Sequence, residues 1–287
     1  MHIDRKILAC VDATPLAEAV TDYAAWAARR LDAPVELLHV LERHVALPGN
    51  QDHSGAIGLG AQEKLLDQLT QEDEARTRLA RERGRALLSG LRERAIQGGA
   101  PNVDSRLRHG HIEETLTEQQ DGCRLLVLGR NGHADAAAST GLGKHLEWVV
   151  RSATRPLLVV TKNFCAPKKV LFAFDGSSVA RKGIDMLAHS PLLRGLSLQL
   201  LTAGKPSSAN QKQLDAASET LAANGIDTTS QITPGQPKDV IANALASGEF
   251  DLLVMGAYSH SPLRSLFLGS KTSEMLKAAK VPSLLLR

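Results

Sequence analysis

Short apolar runs alternate along the chain with amphipathic stretches of helical period. Runs of this kind, bounded by turn residues, read as strands buried on both faces, and the stretches between them read as helices. Strands are predicted near residues 6–11, 35–41, 103–108, 124–128 and 156–161, and again near 169–174, 197–203, 227–233, 251–255 and 282–286. Strands separated by helices require parallel pairing through right-handed crossovers, and hence α/β architecture with open sheets wound on both faces. Thr14-Pro15 is a fitting start for the first helix, because threonine can cap and proline tolerates the first helical position.

The pattern occurs twice. Lys6-Ile-Leu-Ala-Cys-Val-Asp12 is matched by Lys169-Val-Leu-Phe-Ala-Phe-Asp175, each a strand closing on aspartate. Leu125-Leu-Val-Leu-Gly129 is matched by Leu252-Leu-Val-Met-Gly256, and Arg155-Pro-Leu-Leu-Val-Val160 by Val281-Pro-Ser-Leu-Leu-Leu286. Three landmarks in one order indicate a duplicated domain. The expected domains are 1–163 and 168–287, joined where Pro167 and two lysines interrupt the apolar pattern. The halves differ at 44–97, which is far longer than its counterpart at about 204–224. It holds a glycine-rich loop and a charged helix expected from about Gln62 to Gln97, with Leu65, Leu66, Leu69, Leu79, Leu87, Leu88 and Leu91 as an apolar face. That face is expected to pack on the sheet or the other half, with a protein-binding arm as the alternative.

At 287 residues, with 43% hydrophobic and 23% charged side chains, the chain has the balance of a folded protein rather than a disordered or collagen-like one. Only 3% are aromatic and the formal charge is +3, so nothing favours a nucleic-acid partner. No apolar run reaches the length of a membrane span, and Met1 to Lys6 lacks the core of a secretion signal. Three cysteines without CxxC spacing suit reduced thiols, and the expected location is the cytoplasm.

In an open parallel sheet, ligands sit beyond the carboxyl ends of the strands, where strand order reverses. In the second half that edge carries Asp175, then Met255 and Gly256, and the loop running to Gly269-Ser270. Glycines allow close backbone approach, and the amides opening the following helix offer donors to phosphate. Here the chain resembles the universal stress protein family in its tandem form, over nearly its whole length. Nucleotide-binding members of that family carry Gly-x-x-Gly, nine residues, then Gly-Ser or Gly-Thr, with an aspartate closing the first strand. The resemblance implies strand order 3-2-1-4-5, an adenine nucleotide alpha hydrolase-like fold, and last strands that pair across a two-fold axis, here between the halves of one chain.

The motif matches imperfectly in both halves. In the second, Asp175, Gly256, Gly269 and Ser270 match, but Ser259 replaces the second glycine. In the first, Asp12, Gly129 and Gly132 match, while Gly143 arrives one residue late and Lys144 follows it. By resemblance, the backbone near Val40 and near Ala203 borders adenine. The implied ligand is ATP, with magnesium as its companion ion, held in the second half as a regulatory ligand. Any hydrolysis would be slow and incidental, since no general base stands out. The competing reading is a nucleotide-free scaffold, an intrachain pseudo-dimer with degenerate pockets, either monomeric or paired again as a homodimer.

Other signals are weaker. Gly143-Lys144 lacks the glycine and hydroxyl residue of a P-loop. Ser259-His260 lacks a nucleophile elbow. His109 and His111 have metal-ligand chemistry, but the sequence alone places no third ligand beside them, so no metal site is expected. The arginines from Arg76 to Arg85 read as a solvated helix face.

Overall fold

The computed structural model describes residues 5–42, 59–130, 144–161, 163–256, 275–277 and 279–287. The first half contains β1 (Lys6–Cys10), α1 (Leu16–Leu31), β2 (Val35–Leu41), α2 (Leu59–Gln97), β3 (Val103–His109), α3 (Ile112–Gln119), β4 (Cys123–Gly129), α4 (Lys144–Ser152) and β5 (Leu157–Val160). The second contains β6 (Lys169–Ala173), α5 (Ser178–Ala188), β7 (Ser197–Ala203), α6 (Ser208–Ala223), β8 (Thr228–Thr233), α7 (Pro237–Ala246), β9 (Leu252–Gly256) and β10 (Ser283–Leu286). All ten join in one sheet of order β3-β2-β1-β4-β5-β10-β9-β6-β7-β8. Each half therefore has the expected 3-2-1-4-5 order with parallel pairing throughout. The halves meet where β5 and β10 run antiparallel, with Leu158 opposite Leu284.

Strand alternation divides the core between the two faces of the sheet. Ile7, Phe172 and Leu284 face α1 and α5, while Leu8, Leu171 and Leu285 face the other way, where α4 and α7 pack. Contacts across the join reinforce the strand pairing. The Tyr23 hydroxyl donates to the Cys165 carbonyl at 3.2 Å, and its ring meets Phe164 edge-on. The Arg30 guanidinium donates from α1 to the carbonyls of Leu192 and Arg194 in the second half.

The first helix begins one residue later than the Thr14-Pro15 pattern implies. Pro15 occupies the cap position in a helical conformation, and the Thr14 hydroxyl accepts from the Leu16 amide at 3.3 Å. The long helix α2 is present, but its apolar face packs only in part. Leu88 and Leu91 are buried and Leu87 packs beside them, whereas Leu69 is 51% and Leu79 45% exposed. The expectation that the whole face covers the sheet is thus corrected. Among the described side chains, the carboxyl-terminal part lies on α1, β2 and β3, fixed by Arg94, which reaches both Asp22 carboxylate oxygens at 2.7 and 2.8 Å. The side chains of Leu65 and Leu66 lie outside the described residues. Arg76, Arg78, Arg81, Arg83 and Arg85 are all exposed, as a solvated face requires.

Candidate functional site

From β1 the chain crosses to β2 on one side and later returns to β4 on the other, and β6 is flanked by β7 and β9 in the same way. The carboxyl ends of β1 and β6 therefore lie at the two points where strand order reverses, which is where open sheets hold ligands. The aspartates that follow these strands fold back alike. Asp12 Oδ1 accepts from the Thr14 amide at 3.2 Å and from its hydroxyl at 2.5 Å. Asp175 Oδ1 accepts from the Ser177 amide at 3.0 Å. Such turns fix the carboxylate at the strand end by bonding it to its own backbone.

The carbonyl preceding each aspartate is braced from the neighbouring strand. His39 Nδ1 donates to the Val11 carbonyl at 2.8 Å, and the Thr202 hydroxyl donates to that of Phe174 at 2.9 Å. His39 and Thr202 occupy equivalent positions in the repeat, each one residue before Val40 and Ala203. Motif reading passed over them because the family pattern does not include them. Aligning the halves strand by strand reveals the signal, a polar residue recurring at a buried position.

Val40 and Ala203 are half-buried at the ends of β2 and β7, in register with Arg108 and Thr233. Gly129 closes β4 beside Val160, and Gly256 closes β9 beside Leu286. A β-carbon on Gly256 would stand 3.3 Å from Val179 Cγ1 and 3.5 Å from the Ala180 amide nitrogen. Packing of β9 against the first turn of α5 thus already favours glycine there, whatever the loop binds. Met255 is buried. Asp175, Ala203, Met255 and Gly256 accordingly share one edge on three adjacent strands, as do Asp12, Val40 and Gly129 in the first half. Gly132, Gly143, Ser259, Gly269 and Ser270 lie outside the described residues. Lys144 is the first residue of α4, and its side chain also lies outside them.

The cavities among the described residues include two of comparable size. One of about 360 Å³ lies at the join between the halves, and one of about 450 Å³ lies between β7, β8 and α7. Neither is lined by the strand-end aspartates or glycines.

A charged cluster stands at the carboxyl edge of the first half. Glu42 follows β2, Glu113 lies in the first turn of α3, and His145 lies in the first turn of α4. His145 Nδ1 is 2.7 Å from Glu113 Oε1, and its Nε2 is 3.5 Å from Glu42 Oε1. Partial burial raises the Glu113 carboxyl, but the hydrogen bond with His145 and the charges of His145 and His111 outweigh it and hold the group below its ordinary value. Of the two histidines singled out in sequence, His109 instead accepts from Arg81 Nε at 3.1 Å.

Two of the three cysteines are buried. Burial pushes the Cys10 thiol far up and that of Cys123 to about 11, whereas Cys165 is exposed. Only a thiolate reacts readily. A thiol reagent at pH 8 is therefore expected to modify one cysteine, Cys165, quickly in the native protein and all three after unfolding. Mass mapping of the labelled peptides checks this, and rapid native labelling of Cys10 or Cys123 would contradict the burial.

A family model described as the universal stress protein family matches residues 5–161 and 167–287. The chain belongs to the universal stress protein family. A full-length relative in the family, universal stress protein Slr1230 of Synechocystis sp., is 31% identical over 286 residues, covering 99% of this chain and 100% of its own. A universal stress protein of Thermus aquaticus is 27% identical over 135 residues, which is 98% of its length but 42% of this chain. The family thus includes proteins about the size of one half. Among solved structures, a universal stress protein from Archaeoglobus fulgidus superposes with a TM-score of 0.69 at 14% identity, covering 98% of this chain and 95% of its own. A functionally unknown protein from Pseudomonas aeruginosa superposes with a TM-score of 0.63 at 17% identity, covering 99% and 93%. At these identities the two structures establish the shared fold. Among the described residues, no helix is long and apolar enough to cross a membrane.

Proposed function

We propose that this universal stress protein binds an adenine nucleotide, ATP, at the carboxyl edge of its second half, as a regulatory ligand rather than a substrate. The observation that carries this reading is the convergence of Asp175, Ala203, Met255 and Gly256 on β6, β7 and β9 at the strand-order reversal. Charge supports the same half. Lys205, just beyond β7, and Lys238, in the first turn of α7, occupy the repeat positions that Glu42 and Glu113 hold in the first. Cations beside a helix start suit phosphate, and acidic groups do not. In this reading the domains are 1–163 and 168–287, the protein works in the cytoplasm, and magnesium accompanies the triphosphate.

Calorimetric titration with ATP and magnesium tests the reading. One site per chain is expected. Asp175→Ala should weaken it about tenfold or more, the size of one hydrogen bond to a charged group. Gly269→Val should abolish it. Binding untouched by both substitutions would move the site to the first half, and no saturable binding at millimolar nucleotide would leave the nucleotide-free scaffold.

A further inference from the structure

We propose that the first half holds a divalent transition-metal ion of the zinc class through Glu42, Glu113 and His145. These three residues arrive from separate elements, the end of β2 and the first turns of α3 and α4, and one potential ligand atom from each falls within 4.8 Å of the others. Their side chains are 28–30% exposed, so the cluster is neither sealed in the core nor free to disperse into solvent. Zinc binds histidine nitrogen and carboxylate oxygen at about 2.0–2.2 Å, and a centre of that size needs donors a little over 3 Å apart. One ligand atom from each residue already lies within 4.8 Å of the others, so small side-chain rotations would bring both carboxylates and one ring nitrogen onto a single ion. Two carboxylates balance a doubly charged ion, and the imidazole nitrogen favours the zinc class over calcium or magnesium, which prefer all-oxygen shells. Water would complete the shell.

The repeat supplies a second, independent argument. Counted back without a gap from the matched prolines Pro156 and Pro282, His145 corresponds to Lys271. Strand register pairs Glu42 with Lys205 and Glu113 with Lys238. All three positions are lysine in the second half and Glu, Glu and His in the first. The two carboxylates and the imidazole are all replaced by ammonium groups, so the second half keeps none of the three metal-binding groups. The metal reading stands without the nucleotide proposal, because it needs only the first-half residues.

The test uses the full-length chain, free of any histidine tag, stripped with chelator and titrated with zinc in the absence of nucleotide. One site per chain is expected, with an affinity at least about tenfold weaker in His145→Ala and in Glu42→Gln, the lower bound for disturbing even an outer-shell partner. Glu42→Gln keeps size and shape, so it still reports if His145→Ala folds poorly. Cobalt(II) substitution should give d–d absorption without thiolate charge-transfer bands, and Cys165→Ser should bind as the parent does. No zinc binding, binding unchanged in both ligand variants, or a thiolate spectrum would each overturn the proposal and leave His145 as an ionic bridge between α3 and β2. Loss of zinc binding together with retained nucleotide binding would separate this site from the one in the second half.

Discussion

Phe172→Ala is expected to lower the unfolding free energy by about 3–5 kcal/mol, the usual cost of emptying a buried phenylalanine site. Phe172 lies in the middle of β6, the central strand of the second half, and is fully buried. Its ring sits 6.2 Å from that of Phe174, in the core layer that α1 and α5 cover. The chain has only five phenylalanines, so the surrounding core is aliphatic and leucines would have to shift to fill the void. Interiors packed to crystal density relax only partly, which is why the cavity adds to the lost transfer energy. Urea unfolding of parent and variant checks the value, and a loss below about 1 kcal/mol would mean that the site collapses freely.

Leu158→Pro should be the more damaging change. Leu158 has β4 on one side and β10 on the other, so its amide cannot face solvent. Proline removes that donor from the ladder and is confined in sheets to edges and bulges. The leucine side chain, 2% exposed, is lost as well, which alone costs about 2–5 kcal/mol. The expected result is failure of the two halves to unfold as one unit, seen as a split or broadened calorimetric transition, or failure to accumulate folded protein. A single sharp transition at the parent temperature would show that the β5–β10 pairing is dispensable.

The inner strands were legible because burial on both faces leaves runs rich in Val, Ile and Leu, and each half repeats the same order, whereas the edge strands β3 and β8 are polar and largely unburied. Thus β2 and β7 occupy 35–41 and 197–203, the spans their apolar patterns imply. The long helix was legible as a helix, but its packing was not. Leu69 and Leu79 repeat at helical spacing as Leu88 and Leu91 do, and spacing cannot say where the sheet beneath ends. At the site, the aspartates and strand-end glycines were readable from the repeat. The cluster of Glu42, Glu113 and His145 was not, because its members are separated by whole strand–helix units and meet only when β2, α3 and α4 are side by side. His111 and His109 drew attention by their two-residue spacing, whereas His145, the histidine that meets Glu42 and Glu113, lies past the next strand.

The single antiparallel pairing in an otherwise parallel sheet has a directional consequence. Because β5 and β10 run in opposite senses, the strand ends that carry Asp12 and those that carry Asp175 face away from each other across the width of the sheet. A molecule that senses the loops of one half must approach from the side opposite to one that senses the other.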